Sequence, residues 1–325
     1  MLTAVTKLLL LAPLAHPSGC CTVLVHVKDD HYVLAYRRDA KTPAEIVIQR
    51  IQWAGRPALK EFKRNSGGYF CHTVITRDGW ILTIGGRDSP TINRELERLG
   101  QRIVERGRIE RGDVRRAMEL LRENRWGHFV VKAPDGTVGI AVYDYRVSAG
   151  RLERFRLREG EYVKVTNNPY YYAVGRYREY DGDPVTAAIK VAGRDTYGIH
   201  RRDVITYSLE PSGRGLRIRV WASYDGGAMV GGAPGAPDPV NFLGRRVPAD
   251  QLPKIPARRE LGTVTLERER PKARSSSGGW SALATALAVG VPLAVGGLAA
   301  GRWVRGRRSG DESGDRGEGK GGRRG

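Results

Sequence analysis

The sequence predicts an α+β fold. Short alternating apolar runs recur in pairs across turn signals, which marks antiparallel hairpins. Two stretches of helical spacing lie together between the second and third of these pairs, so helices are grouped to cover sheet faces. The chain has 325 residues, 40% hydrophobic and 28% charged, a globular composition with ample length for a buried core.

The elements follow in order. Thr22–Lys28 and Tyr32–Arg38 flank Asp29-Asp30-His31 as a first hairpin, and Tyr69–Thr76 and Trp80–Ile84 flank Arg77-Asp78-Gly79 as a second. Thr91–Glu105 and Asp113–Asn124 have helical spacing, with Val114, Met118 and Leu121 on one face and Asp113 as the expected N-cap. His128–Lys132 and Thr137–Tyr143 flank Ala133-Pro134-Asp135-Gly136 as a third hairpin. Strands are expected at Glu161–Thr166, Val204–Leu209 and Leu216–Ala222, and a shorter helix at Pro184–Ala192. Asp225–Pro239, punctuated by Gly, Ala and Pro, reads as a loop without phosphate-cradling spacing.

Both ends differ in composition from this body. Residues 1–20 carry Lys7, the apolar run Leu8–Ala15 and small residues before Cys20, which suits a signal peptide or a propeptide. From Ser275 to Gly301 there are 27 residues without a charge, and residues 280–301 are long enough as a helix to cross a bilayer. Trp280 and Trp303 stand where an aromatic belt would lie, and Arg302, Arg305, Arg307 and Arg308 follow. The expected organisation is therefore a leader (1–20), a globular domain (21–262), a linker (263–279), a transmembrane helix (280–301) and a basic disordered tail (302–325). With a working leader, the domain lies outside the cytoplasm on a single-pass anchor.

The net charge of +20 is spread over the chain. No basic stripe interleaved with aromatics is present, so nucleic acid is not an expected partner. Asparagine and glutamine are scarce, six and four, a pattern that fits a hot habitat in which labile amides are avoided. Three cysteines make no disulfide framework. The six histidines have no metal-ligand spacing, so neither a metal nor another cofactor is expected.

The stretch "GCCTVLVHVKDDHYVLAYRRDA" holds the chemistry. Cleavage before Cys21 would leave a thiol and an α-amine on one residue at the start of a strand. An α-amine with a pKa of about 8 is a usable base at neutral pH within reach of its own thiol. Such a site needs a carboxylate for the amine, a cation for the thiolate and an oxyanion donor. Arg37, Arg38 and Asp39 return beside Cys21 on the partner strand. Cys20 is the rival, as nucleophile or as a lipid-anchored cysteine. Cys71-His72 offers a separate dyad, although strand neighbours point to opposite faces and Cys71 suits an ordinary buried position. His26 and His31 flank the first turn as solvated strand residues that could also line a site.

Cys21-Thr22, an apolar strand and then Arg37-Arg38-Asp39 resemble the opening of cysteine N-terminal nucleophile (Ntn) hydrolases. These include the choloylglycine hydrolase and penicillin V acylase group and the acyl-CoA:isopenicillin acyltransferase group. Val165-Thr166-Asn167-Asn168-Pro169 resembles the family's Thr-Asn-x-Pro stretch, and "GHFVVKAPDGTVGIAVYDY" its central hairpin. Arg38 stands where the family's turn carries Asn. The resemblance implies a four-layer αββα sandwich of antiparallel sheets and attack by Cys21 on non-peptide C–N amide bonds through a thioester. It further implies Arg37 beside the thiolate, Asp39 on the α-amine, Asn167 as oxyanion donor and Arg194 as the later family arginine. The expected substrate is a small amide or acyl compound, anionic given the Arg-rich surface. A non-catalytic binding domain of the same fold and a Cys71-His72 hydrolase are the alternatives.

Overall fold

A computed structural model of the chain describes residues 21–40, 44–65, 67–86, 89–177, 183–193, 201–213, 215–224 and 237–267. The first hairpin forms as expected from β1 (Cys21–His26) and β2 (Tyr32–Ala40). Asp29 and Asp30 take φ of 47° and 58°, the left-handed pair that a tight antiparallel turn requires. Four more antiparallel strands follow: β3 (Glu45–Trp53), β4 (Arg56–Asn65), β5 (Gly68–Thr76) and β6 (Ile81–Gly86).

Helix α1 (Pro90–Arg106) starts on Ser89, with proline at its first position, and stops at Gly107, whose φ of 78° lets its N–H reach back to Ile103 and Val104. Helix α2 (Arg111–Glu123) is capped at Glu110 rather than Asp113. Asp113 sits in the first turn and accepts the Glu110 N–H at 2.7 Å.

The remaining strands are β7 (Trp126–Lys132), β8 (Thr137–Asp144), β9 (Ala149–Arg156), β10 (Glu161–Thr166) and β11 (Ala173–Arg176). Helix α3 (Pro184–Gly193) precedes β12 (Arg201–Ser212) and β13 (Gly215–Tyr224). Two short pieces, β14 (Val240–Phe242) and β15 (Arg245–Val247), and the nine-residue β16 (Arg259–Glu267) close the described chain.

These strands build a seven-stranded sheet, ordered β11-β10-β1-β2-β12-β13-β16, and a nine-stranded sheet, ordered β15-β14-β3-β4-β5-β6-β7-β8-β9. The main core fills the space between them, with Leu24, Leu34 and Ile205 from the first sheet against Ile48, Leu59 and Ile140 from the second. On the outer face of the nine-stranded sheet, Leu96, Ile103 and Leu121 of α1 and α2 pack on Leu82, Phe129 and Val131. On the outer face of the other, Val185, Ala188 and Ile189 of α3 pack on Val23, Val33 and Val204.

The expected four-layer αββα Ntn sandwich is corrected by this arrangement. The described residues are 55% strand and 23% helical, with only three helices. Two large sheets dominate, and one of them carries a single ten-residue helix on its outer face. The shortfall in the sequence reading is in strands. Segments such as "EIVIQRIQW" and "RPALKEFKRN" mix charge into an apolar alternation, and β3 and β4 turn at Ala54-Gly55 rather than at a strong turn signal. No helix among the described residues is long and apolar enough to cross a membrane. Residues 280–301 themselves lie outside the described residues, as does the leader.

Gly139 of β8 is where α2 seats. A Cβ there would lie 2.9 Å from Ile109 Cγ2, 3.1 Å from Val114 Cγ2 and 3.3 Å from Val131 Cγ1. Gly139→Val should lift the helix and lower stability by about 1–3 kcal/mol, read as a lower urea midpoint at unchanged slope.

Candidate functional site

β1 runs between β2 and β10, and its first residue is the point of convergence. Cys21 pairs with Arg37 on one side and with Thr166 on the other. Directly opposite residues of an antiparallel pair share a face with Cβ atoms about 5 Å apart, so Arg37 is the cation nearest the thiol in register. Alternation puts both on the face of Val23, Val25 and Ala35, beneath α3. Arg37 is buried, and its Nη1 donates to the Ala192 carbonyl at 3.0 Å, one of the carbonyls left open in the last turn of α3. Cys21 is itself fully buried.

Asn167 follows Thr166, and its side chain enters the space between the sheets. Its Oδ1 lies 2.6 Å from His128 Nδ1, while His128 Nε2 lies 3.0 Å from Thr22 Oγ1. An amide oxygen only accepts, so Nδ1 carries the ring proton and Nε2 accepts from the Thr22 hydroxyl. Thr22 Oγ1 then accepts from Thr83, 3.0 Å away. Burial pushes the His128 pKa down to about 4, opposed by its bond to Asn167, so the ring is neutral and this tautomer is fixed. The network ends in a buried amide Nδ2 of Asn167 that has no acceptor among the described residues. Such an orphan donor costs about 1–3 kcal/mol and calls for a ligand or a role.

Arg38 turns the other way from Arg37. Its Nη2 donates to Asp203 at 2.7 Å and also contacts Asp238, all three being buried. Asp238 in addition accepts the Ala44 N–H at 2.9 Å, and its own N–H donates to Asp203 at 3.0 Å. Arg38 therefore ties the segment at 237–239 to β2 and β12. Burial raises the Asp203 carboxyl above the ordinary range against the pull of Arg38. Close by, Tyr207 donates to Glu61 at 2.6 Å, and His72 Nδ1 lies 3.7 Å from the same carboxyl. Burial pushes Glu61 up to about 7 despite the Tyr207 bond and Arg38.

Of the residues singled out in the sequence, Cys21, Arg37 and Asn167 meet at one strand end, with thiol and amide on opposite faces of it. Asp39 is placed by backbone register alone, opposite Arg202. Arg194 lies outside the described residues. The Cys71-His72 dyad does not form: Cys71 belongs to the core under the helices, whereas His72 faces Tyr36 and Glu61 between the sheets. Burial drives the Cys71 thiol well above its usual pKa, further from a nucleophile. His26 and His31 are not simply solvated. His26 stacks on Tyr32, and His31 Nε2 lies 2.6 Å from Ser208 Oγ.

Sequence reasoning missed His128, Thr22 and Thr83. The available signal was phase: in "GHFVVK" the inward set that contains Val130 also contains His128. No group of residues that could hold a metal ion occurs among the described residues. No protein-family model matches the chain, and no curated protein matches it in sequence.

Glu61 generates a pH prediction. Its folded pKa of about 7 lies above its ordinary 4.5, so the folded state holds the proton more tightly. Its contribution to stability is complete below about 4.5 and is lost as pH rises through about 7. Glu61→Gln keeps an acceptor for Tyr207 and removes this titration. The wild type should lose more thermal stability than the variant across that window, measured by calorimetry at fixed ionic strength.

Proposed function

We propose that Cys21, released as an N-terminal residue by cleavage after Cys20, is the nucleophile of an amidohydrolase or acyltransferase acting on non-peptide C–N bonds. The observation that carries this reading is the orphan amide donor of Asn167, one residue past the register partner of Cys21. The thiol loses its proton to the α-amine and attacks the substrate carbonyl carbon. Asn167 Nδ2 donates to the oxygen that gains charge, oriented by His128 on its Oδ1. Collapse breaks the C–N bond, and the α-ammonium returns its proton to the departing amine, leaving a thioester on Cys21. Water or a second amine gives up a proton to the α-amine, attacks the thioester and frees the thiol. Arg37, opposite Cys21, supplies positive charge to the thiolate. Asp39 is assigned to the α-amine. The thiol and the amide lie on the two faces of the strand end, so the scissile carbonyl would sit across that end.

The first test is the intact mass and N-terminal sequence of the full chain made in a cell-free system without signal peptidase. The wild type should begin at Cys21, and Cys21→Ala should keep residues 1–20. Retention of the leader by the wild type, in this system and in its native setting, would leave a non-catalytic binding domain as the reading.

Turnover gives a second test against amide substrates. Asn167→Ala should lower kcat by about 100- to 1000-fold with the fold intact. Gly85→Ala reaches the same donor indirectly. A Cβ there would lie 2.2 Å from His128 Cε1, so the ring must move and release Asn167. It should lower kcat more than it raises KM. An unchanged kcat in both variants would remove Asn167 from the mechanism.

A further inference from the structure

The opposite end of the same hairpin carries a second set of polar groups. A pocket of about 500 Å³ opens there, with Leu209, Leu216 and Pro211 in its wall. Lys132 lines it, almost wholly buried, with Nζ 3.5 Å from the centroid of the Tyr32 ring and 3.2 Å from the Gly79 carbonyl. The far face of Tyr32 is covered by His26, at a centroid distance of 4.4 Å. The amine is thus fixed on a clamped ring with one of its donors engaged.

Two residues of the pocket wall carry further donors. The Tyr32 hydroxyl is buried and has no partner among the described residues. Burial and the nearby Asp30 carboxylate hold it up at about 12, so it stays a donor. Arg77 is half-buried in the pocket wall, and no side-chain bond ties its guanidinium among the described residues. The acids close by are largely committed. Asp78 pairs with Arg56 at 3.0 Å and accepts from Thr76, and Asp135 accepts from the backbone and hydroxyl of Thr137. Asp30, at the exposed turn, is the remaining one.

We propose that this pocket is a reactive-amine site in which Lys132 captures a small 2-oxo acid as an imine, with the carboxylate of the ligand on Arg77. The lysine nitrogen attacks the keto carbon, its two protons pass to the former carbonyl oxygen, one of them relayed by the Tyr32 hydroxyl, and that oxygen leaves as water as the C=N bond forms. No oxidant or reductant takes part. Burial lowers the Lys132 pKa to about 7, opposed by Asp30 and Asp135, so a substantial fraction of the amine carries its lone pair at neutral pH. An ordinary lysine does not, and surface lysines should react roughly a hundredfold more slowly.

The experiment treats the full wild-type chain with pyruvate and borohydride at neutral pH, then maps the reduced adduct by peptide mass spectrometry. A single saturable adduct on Lys132 is expected. It should form at least about tenfold more slowly with acetaldehyde, which lacks the carboxylate, and in Arg77→Gln, a loss in the range of one charge-assisted contact. Lys132→Met should abolish it. No adduct, or adducts spread over surface lysines, would overturn the proposal. Equal labelling by acetaldehyde and in Arg77→Gln would also overturn it, since the pocket would then not select an anionic ligand. The readout is independent of Cys21 processing.

Discussion

The position of β1 constrains more of this molecule than any other contact. It is hydrogen-bonded to β2 on one edge and β10 on the other, with the nine-stranded sheet over one face and α3 over the other. A slip of one residue would exchange its faces, sending Thr22 and Leu24 under the helix and Cys21, Val23 and Val25 between the sheets. Both outcomes misplace polar groups and break apolar contacts. The sequence opposes the slip twice. Asp29 and Asp30 set the turn, and the apolar residues on both faces are matched to different partners. Register here is therefore stiff, and the pairing of Cys21 with Arg37 and Thr166 inherits that stiffness.

Between the sheets, Arg38, Asp203, Asp238 and Glu61 form a cluster of buried charge. Arg38 holds two carboxylates, and Glu61 stands close enough to feel the same guanidinium. Removing one partner of such a buried set typically costs about 3–5 kcal/mol, because the others are left uncompensated. That cost fixes the segment carrying Asp238 against β2 and β12. It also explains why adjacent arginines behave so differently. Alternation along the strand gives Arg37 the α3 face and Arg38 the interior, so one closes the end of a helix and the other anchors a charge cluster.

What could be read from the sequence follows the same physics. The three hairpins and the three helices declare themselves through turn residues, caps and apolar spacing, and they form close to the expected bounds. Strands β3, β4, β9 and β16 are less visible because their charged residues interrupt the alternation; in "AGRLERFR" arginine and glutamate occupy an exposed edge strand. Counting them turns a mixed fold into a mainly β one. At the candidate site, the nearness of Cys21, Arg37 and Asn167 was legible because hairpin spacing pairs Cys21 with Arg37 and a recurring strand end brings in Asn167. His128 was not, because its partners Thr22 and Asn167 come from strands far away in sequence, and only the stacking of one sheet on the other brings them together. The Asp203–Arg38–Asp238 cluster was hidden because β12 and the segment at 237–239 meet β2 only through pairings distant in sequence.

The inner face of the first hairpin divides into three zones. Thr22, Tyr36 and Arg38 lie toward one end, Leu24 and Leu34 in the middle, and His26 and Tyr32 beside the turn. The middle zone is continuous with the main apolar core, so the polar ends are separated by a medium that neither hydrates charge nor conducts protons. In such a medium each end must satisfy its own groups locally. Each end nevertheless retains a buried donor without an acceptor among the described residues, Asn167 Nδ2 at one and the Tyr32 hydroxyl at the other. A fold selected for stability alone would replace such donors with apolar groups at little loss. Their placement, one residue past the register partner of Cys21 and in a residue of the pocket wall, sets the two polar ends apart across a packed apolar barrier.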